Sequence, residues 1–450
     1  MYTEDIEFCK VIAAVKEKYD YPHHLQVSTG KNQQERIIEC ADLLKGSLRL
    51  GASVQSLDAE VLRNTKRSNI SYQALIEVSS RLSNTDANTY SEIILSLPSD
   101  SKEKFVNSVC GLIESGLNQV RMFTLMILDG SELATDASRQ KFKMRTQFRV
   151  VPRSFGVYNF MGKALPSVEV EEVCVEQETL SLEDYFECRR FALTVTLFYN
   201  DRIFHELTQF LVKRNKRISD WIKYVHSQSR YFPQKLIDLY EHFTAETASE
   251  LHPSRESLET QIKSESGLIQ RHINGEVGNN VLFNTQARAY LEAMDELHEV
   301  AFGTARDFLG LGPANQASLE EHYLRELKRY SLMKKQRFVD LRDVTLGHFD
   351  FDFIALETEN FANMPTQKKP CDIQFYYKQW QVDFFSDQMA RHGTSLQGLG
   401  KLLSRVPIKK TQRATAYAYD SSLTGLSPSR TGLSPSRSAS ASELFGPVII

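Results

Sequence analysis

Residues 48–67 read LRLGASVQSLDAEVLRNTKR, and this stretch decides the fold. It begins as an apolar strand, ends that strand in small and polar residues, and continues into a helix for which Asp58 is a suitable N-cap. Residues 90–101, YSEIILSLPSDS, repeat the arrangement, with Pro98 stopping the strand. Strands that end in this way and run straight into helices are typical of a β/α barrel, whose functional rim lies at the carboxyl ends of its strands.

The alternation of helix and strand extends over the first 138 residues. Further strands are predicted at 24–27 and 120–128, and each predicted strand follows a helix at intervals of roughly 25 to 35 residues. Such a period implies parallel strands joined by right-handed crossovers. Four strands do not close a barrel, so either the sheet is open or the remaining strands belong to a preceding segment. We expect the strand ends at Gln55, Ser96 and Asp129 to lie along one rim.

The pattern changes after residue 138. Residues 139–151 are basic and 166–175 acidic, and 193–198 fits either a strand or a helix that continues from Leu182. Farther on, amphipathic helices are predicted. The alternation of Phe349, Phe351 and Phe353 with aspartates predicts a strand within 343–357, and 374–403 predicts an aromatic-rich helix and a loop at 392–394.

The chain ends in a tandem repeat of TGLSPSR at 424–437, which predicts a disordered, low-complexity tail. The predicted class is α/β, a partial (β/α) barrel followed by a mostly helical domain. The predicted divisions are 1–138 for the partial barrel, 139–200 for a connecting region that contains strands or a helix, 201–415 for the mainly helical domain, and 416–450 for the tail.

The overall composition is that of an ordinary globular protein. Of the 450 residues, 41% are hydrophobic and 25% charged, with a net charge of −3, so charge favours neither a nucleic-acid nor a membrane-surface partner. The N-terminus has no signal-peptide pattern, and no window approaches the ~18 apolar residues of a membrane span. The 6 cysteines are widely scattered, which fits neither a disulfide framework nor a metal knuckle. We expect buried thiols in the reducing cytoplasm.

Taken together, the strand ends resemble the second half of a radical SAM core, of the kind found in enzymes with an N-terminal cobalamin-binding domain. Residues 53–67 resemble that superfamily's fourth-strand signature, a strand ending in Gln-Ser and followed by a helix and an Arg. Residues 90–101 resemble the fifth-strand segment written EIIxGLPGET, and 125–133, LMILDGSEL, resemble the sixth strand. More loosely, 148–158 and 377–389 resemble the C-terminal extensions of such proteins.

The sequence departs from the family pattern at three places. The CxxxCxxC motif, whose thiolates hold a [4Fe–4S] cluster, is absent. The family glycine before Leu-Pro is Ser96, and the family Gly-Glu is Ser99-Asp100. The chain also begins just after the strand that carries the family's Gly-Gly-Glu. The resemblance therefore implies that the first strands, the cluster loop and any cobalamin domain lie upstream and outside this chain, so that no metal ligand is expected within it.

The resemblance implies that S-adenosylmethionine (SAM) is the cofactor bound at these strand ends. Ser53 and Gln55 would contact its ribose or amino acid portion, and Arg67 would pair with its carboxylate, because a guanidinium fork suits that group. Ser28 and Ser96 would complete the cradle. The alternative for the serines and Gln55 is a turn held by its own hydrogen bonds, and for Arg67 a solvated helix end.

For Ile93 the resemblance implies a contact along the adenine site, whereas the apolar run around it favours the core. No catalytic residue is predicted in this chain.

Two functions remain open from the sequence. The first is the C-terminal part of a radical SAM enzyme, in which a reduced cluster held elsewhere cleaves SAM to a 5′-deoxyadenosyl radical; this chain alone would then be inactive. The second is a non-catalytic remnant or scaffold whose helical half mediates association. Under the first we expect the upstream half, or a separate partner protein, as partner. The substrate, the reaction subtype and the use of cobalamin stay open.

Overall fold

The structure is a computed structural model. It describes residues 4–19, 21–22, 25–26, 34–44, 47–67, 88–265, 267–274, 276–278, 280–311, 318–336, 340–405 and 411–418. Each predicted strand follows a helix, and the helix predicted before the strand within 90–101, at 71–82, lies outside these residues, as do Ser28 and the repeats at 424–437.

A four-stranded parallel sheet lies in the N-terminal part of the chain. Its strands, in both sequence and spatial order, are β1 (Leu25–Gln26), β2 (Leu48–Gln55), β3 (Asn88–Leu95) and β4 (Gln119–Thr124). In the register, Gly51 lies opposite Tyr90, and Tyr90 lies opposite Gln119. The predicted parallel arrangement and the α/β class are therefore confirmed. Within the described residues the sheet is open.

Helices alternate with these strands, as the sequence predicts. They are α1 (Glu4–Tyr19), α2 (Gln34–Leu43), α3 (Ala59–Asn64) and α4 (Lys102–Glu114). Asp58 caps α3, because its Oδ1 accepts the backbone N–H groups of Glu60 and Val61, each at 3.0 Å. Ser101 caps α4 in the same manner. The local capping residues thus place each helix directly after its strand.

A second, antiparallel sheet follows and corrects one prediction. Its strands are β5 (Met126–Ile127), β6 (Arg145–Phe160) and β7 (Lys163–Glu176), in the order β5-β7-β6, and α5 (Asp136–Phe142) lies between β5 and β6. The single strand predicted at 120–128 is wrong. Leu125 N–H still donates to Leu95 O, but Leu125 O accepts from Cys174 N–H, both at 2.9 Å. The chain therefore changes sheets at Leu125, and Asp129 follows a strand that is paired with β7.

The charges of the two long strands explain this sheet. The basic segment continues from α5 into β6 at 145–151, and the acidic segment 166–175 lies in β7, so that Arg149 lies across from Glu171 in the β6–β7 hairpin. Opposite charges on facing strands stabilise such a pairing.

Helices dominate the region from residue 182 to residue 335. They are α6 (Leu182–Phe198), α7 (His205–Lys213), α8 (Ile218–Ser227), α9 (Gln234–Ser249), α10 (Arg255–Ser264), α11 (Leu268–Asn274), α12 (Val281–Glu292), α13 (Met294–Phe308) and α14 (Leu319–Lys335). Of the two alternatives for residues 193–198, the structure has the helix.

A third sheet and three helices complete the described chain. They are β8 (Thr345–Phe349), α15 (Phe353–Thr358), β9 (Cys371–Tyr376), α16 (Gln379–His392), α17 (Leu396–Arg405) and β10 (Ala414–Tyr417), with antiparallel order β10-β9-β8.

One further prediction is wrong in this region. The strand expected within 343–357 ends at Phe349, and a helix begins at Phe353 because Asp352 caps it through the N–H of Ala355 (3.0 Å). Phe349, Phe351 and Phe353 are all buried, so their alternation with aspartates belongs to a turn between strand and helix rather than to a strand with two faces. The aromatic-rich helix predicted within 374–403 is α16, and the loop predicted at 392–394 lies where α16 ends, before α17; the start of the segment is the end of β9.

One cluster of buried apolar side chains joins the parallel sheet to the helical region. It runs from Val54 and Ile93 through Phe191 of α6 to Leu402 of α17. The division at residues 138, 200 and 415 stays a prediction. None of the helices in the described ranges is long and apolar enough to cross a membrane.

Candidate functional site

The carboxyl end of β2 is held in an unusual backbone conformation. Gln55 has φ 66°, in the left-handed region, and the pairing with β3 is irregular between Ser53 and Gln55. Ser53 itself lies opposite Glu92 of β3; its side chain is outside the described atoms. The Oε1 atom of Gln55 is buried and has no hydrogen-bond partner among the described residues. A strained backbone together with an unsatisfied amide is typical of a ligand-binding strand end.

The turn after β3 has the same character. Ser96 and Ser99 have φ values of 69° and 65°. These are the two positions at which the fifth-strand pattern has glycine, the residue that adopts positive φ without steric cost. The chain therefore keeps the backbone geometry of that pattern although it carries serine at both positions. Ser96 is fully buried, and its Oγ has no hydrogen-bond partner within the described part of the chain.

Two side chains hold this turn in place. The carboxylate of Asp100 accepts the backbone N–H groups of Ser96 (3.2 Å) and Ser101 (2.9 Å). The Gln177 side chain donates to Leu97 O (2.7 Å) and accepts from Ser99 N–H (3.0 Å). Burial raises the pKa of Asp100 to about 7, although the hydrogen bonds from Ser101 and Ser96 oppose the shift. Gln177 follows β7, so the second sheet braces the turn of the first.

Arg67 lies where α3 returns toward the sheet. Its backbone N–H donates to Leu62 O (3.0 Å), and its side chain is exposed at the wall of a cavity. The neighbouring Lys66 is already paired with Glu132 (2.7 Å). Of these two adjacent cations, Arg67 is therefore the one whose guanidinium group is available to bind a ligand carboxylate.

The cavity has a volume of about 620 Å³ and lies beyond the carboxyl ends of β3 and β4. Its lining residues come from the end of α3, from β3, β4 and β5, from α5 and from the β6–β7 hairpin. They are Arg63 to Arg67, Ile94, Leu97, Met122 to Met126, Leu128, Ser131 to Leu133, Ser138, Lys141, Phe142, Arg149, Pro152, Glu171, Arg189, Glu250, Asn280 and Val281. Six of these side chains are basic and three are acidic.

Of the predicted site residues whose side chains the structure describes, Arg67 alone lies in the cavity lining. Gln55 and Ser96 lie at the ends of the neighbouring strands β2 and β3 but do not line the cavity. Ile93 is core, since it is 1% exposed and packs in the main apolar cluster. The next residue, Ile94, lines the cavity instead, because strand alternation places consecutive side chains on opposite faces.

A buried charge cluster in the cavity wall is absent from the sequence predictions. Arg149 of β6 binds Glu171 of β7 and Glu250 at the end of α9, each at 2.5 Å. Burial by itself lowers the pKa of Arg149, but the charges of Glu250 and Glu171 outweigh it and raise that pKa above its ordinary value. The basic and acidic segments were visible in the sequence; their meeting with Glu250, a hundred residues on, was not.

Arg189 of α6 is a second buried cation in the cavity wall. It is 8% exposed, and its Nε has no hydrogen-bond partner among the residues described. Its guanidinium carbon lies 5.6 Å from the centre of the Phe243 ring. Nothing in the local sequence distinguishes it from Arg190, which instead donates to Thr244 Oγ1 (3.2 Å).

The residues present do not fit an iron–sulfur cluster. No group of three or more His, Cys, Asp or Glu side chains in the described ranges is placed to hold a metal ion. All six cysteines are buried and unpaired, as the sequence predicts. Burial raises the pKa of Cys110 and Cys371 to about 11, whereas cluster ligation needs thiolates brought together.

Comparison with known proteins supports the family resemblance. A 2-(S-pantetheinyl)-carbapenam-3-carboxylate methyltransferase of Streptantibioticus cattleyicolor is 26% identical over 218 residues, 47% of this chain and 31% of the relative. The cobalamin-dependent radical SAM methyltransferase TokK of Streptomyces tokunonensis is 26% identical over 214 residues, 46% of this chain and 30% of the relative. No protein-family model matches.

The chain thus has one relative named as a cobalamin-dependent radical SAM methyltransferase and another named as a methyltransferase, and each alignment spans about a third of the relative's length. Each aligned segment is also longer than the 133 residues on which the resemblance mainly rests, so the similarity extends farther along the chain.

Proposed function

We propose that this chain supplies SAM-binding strand ends and the adjoining cavity of a cobalamin-type radical SAM methyltransferase. One observation carries the proposal: Gln55, Ser96 and Ser99 have left-handed backbones after two neighbouring parallel strands, two of them where the family pattern has glycine. The relatives add support, because one is named as a cobalamin-dependent radical SAM methyltransferase and the other as a methyltransferase.

The residues present fit SAM. The cavity of about 620 Å³ lies within the range of roughly 300–1,000 Å³ for small-molecule sites. Arg67 would bind the ligand carboxylate. Gln55 and Ser96 do not line this cavity; their unsatisfied Oε1 and Oγ would bind a hydroxyl or amino group of the ligand that reaches past the cavity to the ends of β2 and β3. When bound, SAM supplies an activated methyl group and, beside a reduced cluster, one-electron chemistry.

The cluster and cobalamin belong, in this proposal, to an upstream segment or a partner protein. The proposal is supported by the six buried cysteines: Cys9 and Cys40 contact each other, but no three cysteines come together within the described residues. The same unpaired cysteines support a reducing, cytoplasmic location.

Calorimetric titration of the 450-residue chain with SAM tests the binding proposal. We expect binding, and we expect Gln55→Ala to weaken it about tenfold, because the ligand loses the buried amide as a hydrogen-bond partner. The matched control is Gln147→Ala in β6, a residue outside the parallel sheet and away from its strand ends. Absence of SAM binding to the wild-type chain would favour the non-catalytic scaffold instead.

Anaerobic reconstitution with iron and sulfide tests where the cluster is held. The chain alone is expected to show no cluster absorbance and to release no 5′-deoxyadenosine, and both should appear once the segment with the CxxxCxxC motif is added. Cluster formation by the isolated chain would contradict this part of the proposal.

A further inference from the structure

We infer that Arg189 is the anchor for a singly charged carboxylate carried on an apolar body, and that this group belongs to the substrate. As a statement about the substrate the inference rests on the proposed function; as a statement about binding it stands on the cavity alone.

The first step is the state of Arg189 itself. Its side chain is more than nine-tenths buried, lines the cavity, and has an Nε with no hydrogen-bond partner within the described structure. A guanidinium taken out of water is stabilised by an anion or by hydrogen-bond acceptors. The ring of Phe243 at 5.6 Å supplies only a weak substitute.

The second step is the charge of the surroundings. Arg149 is also buried in this wall, but Glu171 and Glu250 both bind it. Its hydrogen-bonding capacity is therefore taken up by protein carboxylates, whereas the Nε of Arg189 has no partner among the described residues. With six basic against three acidic side chains, the lining as a whole favours an anionic ligand.

The third step is the kind of anion. Glu171, Glu250 and Arg149 together leave one negative charge in the same wall, which disfavours a doubly charged group such as a phosphate ester more than a singly charged one. A planar carboxylate matches the guanidinium fork and carries a single charge. Ile94, Leu97 and Val281 offer an apolar surface for the rest of the molecule. These features together select an apolar monocarboxylate.

The probe for this inference is 4-phenylbutyrate, titrated calorimetrically into the full chain beside its uncharged amide and phenylphosphonate. We expect the carboxylate to bind at least about tenfold more tightly than the amide, as for a charge-assisted hydrogen bond. Phenylphosphonate, which approaches a double charge, should bind more weakly than the carboxylate. Equal affinity for acid and amide, or tighter binding of the phosphonate, would overturn the inference.

Variants locate the site. Arg189→Gln should lower the affinity for 4-phenylbutyrate about tenfold, and Arg190→Gln, which removes one charge from the next residue of α6, should leave it unchanged. Wild-type affinity in Arg189→Gln overturns the inference. If that variant does not fold, Arg189→Lys serves instead, because it keeps the charge but not the guanidinium fork. Its affinity for 4-phenylbutyrate should lie between the wild-type affinities for the acid and for the amide. An affinity for the acid equal to that of the wild type would count against Arg189.

The same proteins separate this inference from the proposed function. Carboxylate binding without SAM binding would remove the function and leave the Arg189 site. SAM binding without carboxylate binding would support the proposed function and remove the Arg189 site. Equal losses of SAM and 4-phenylbutyrate affinity in Arg189→Gln would assign the residue to SAM and overturn the substrate site.

Discussion

The backbone N–H of Ser96 donates to Oδ2 of Asp100 at 3.2 Å, closing the turn that follows β3. Asp100 is 2% exposed, and it stands where the family pattern has glutamate. The turn is therefore built on a buried carboxyl group, and its stability depends on that group's protonation.

The free energy of unfolding should fall as the pH rises from about 4 to 7. Burial raises the pKa of Asp100 from 3.8 to about 7, so over this range the folded protein keeps a proton that the unfolded chain has released. The folded state binds more protons, and this contribution to stability is lost as the pH rises, at up to ~1.4 kcal/mol per pH unit. Urea unfolding at a series of pH values measures it.

The control for this pH dependence is Asp100→Asn, which cannot titrate. Other groups also titrate, so the quantity to compare is the difference between the wild type and the variant. Between about pH 4 and 7 the slope of that difference against pH should correspond to the release of about one proton on unfolding. Parallel curves for the two proteins would show that Asp100 has an ordinary pKa.

Ser96→Gly should leave the protein as stable as the wild type or stabilise it by up to ~1 kcal/mol. A left-handed conformation costs a residue with a side chain about 1–2 kcal/mol, and the glycine variant removes this cost. Glycine also lowers the stability by about 0.5–1 kcal/mol, because its unfolded chain has more conformational entropy to lose. The control is Ser91→Gly in β3, which is paired with Val120 and should lose about 1 kcal/mol. Chemical denaturation that showed equal losses for both variants would refute the role of φ.

Arg149→Met should destabilise the protein by about 3–5 kcal/mol, because it leaves two buried carboxylates without their shared cation. The matched control is Arg145→Met on the same strand. Arg145 pairs with Glu176 at 3.2 Å but its side chain is 75% exposed, so its loss should cost less than about 1 kcal/mol. Urea midpoints that move equally in the two variants would contradict the difference in burial.

Arg67→Ala should weaken SAM binding about tenfold, since it removes the exposed guanidinium proposed to bind the ligand carboxylate. Lys66→Ala is the neighbouring control, because Lys66 is engaged by Glu132. Titration calorimetry compares the two variants. A larger loss for Lys66→Ala than for Arg67→Ala would reverse the assignment.

Some of the candidate site follows from local sequence. Asp58, Pro98 and Ser101 mark where strands end and helices begin, and such capping and stop signals act within a few residues. The parallel pairing of β2, β3 and β4 was predicted for the same reason, since a repeating βα unit permits few other arrangements. The face of β3 that meets the cavity was not predictable, because a strand covered on both sides is apolar throughout, and Ile93 and Ile94 look alike in it.

The sequence by itself determined the α/β class, the strand ends at Gln55 and Ser96, and the family that these ends resemble. Only the tertiary structure decided that the chain leaves the parallel sheet at Leu125, that Arg149 meets Glu250, and that Arg189 is buried with an Nε that has no hydrogen-bond partner among the described residues. Caps and turns depend on neighbours in the chain. A cavity depends on which distant segments pack together, and on how much water their charges lose when they do.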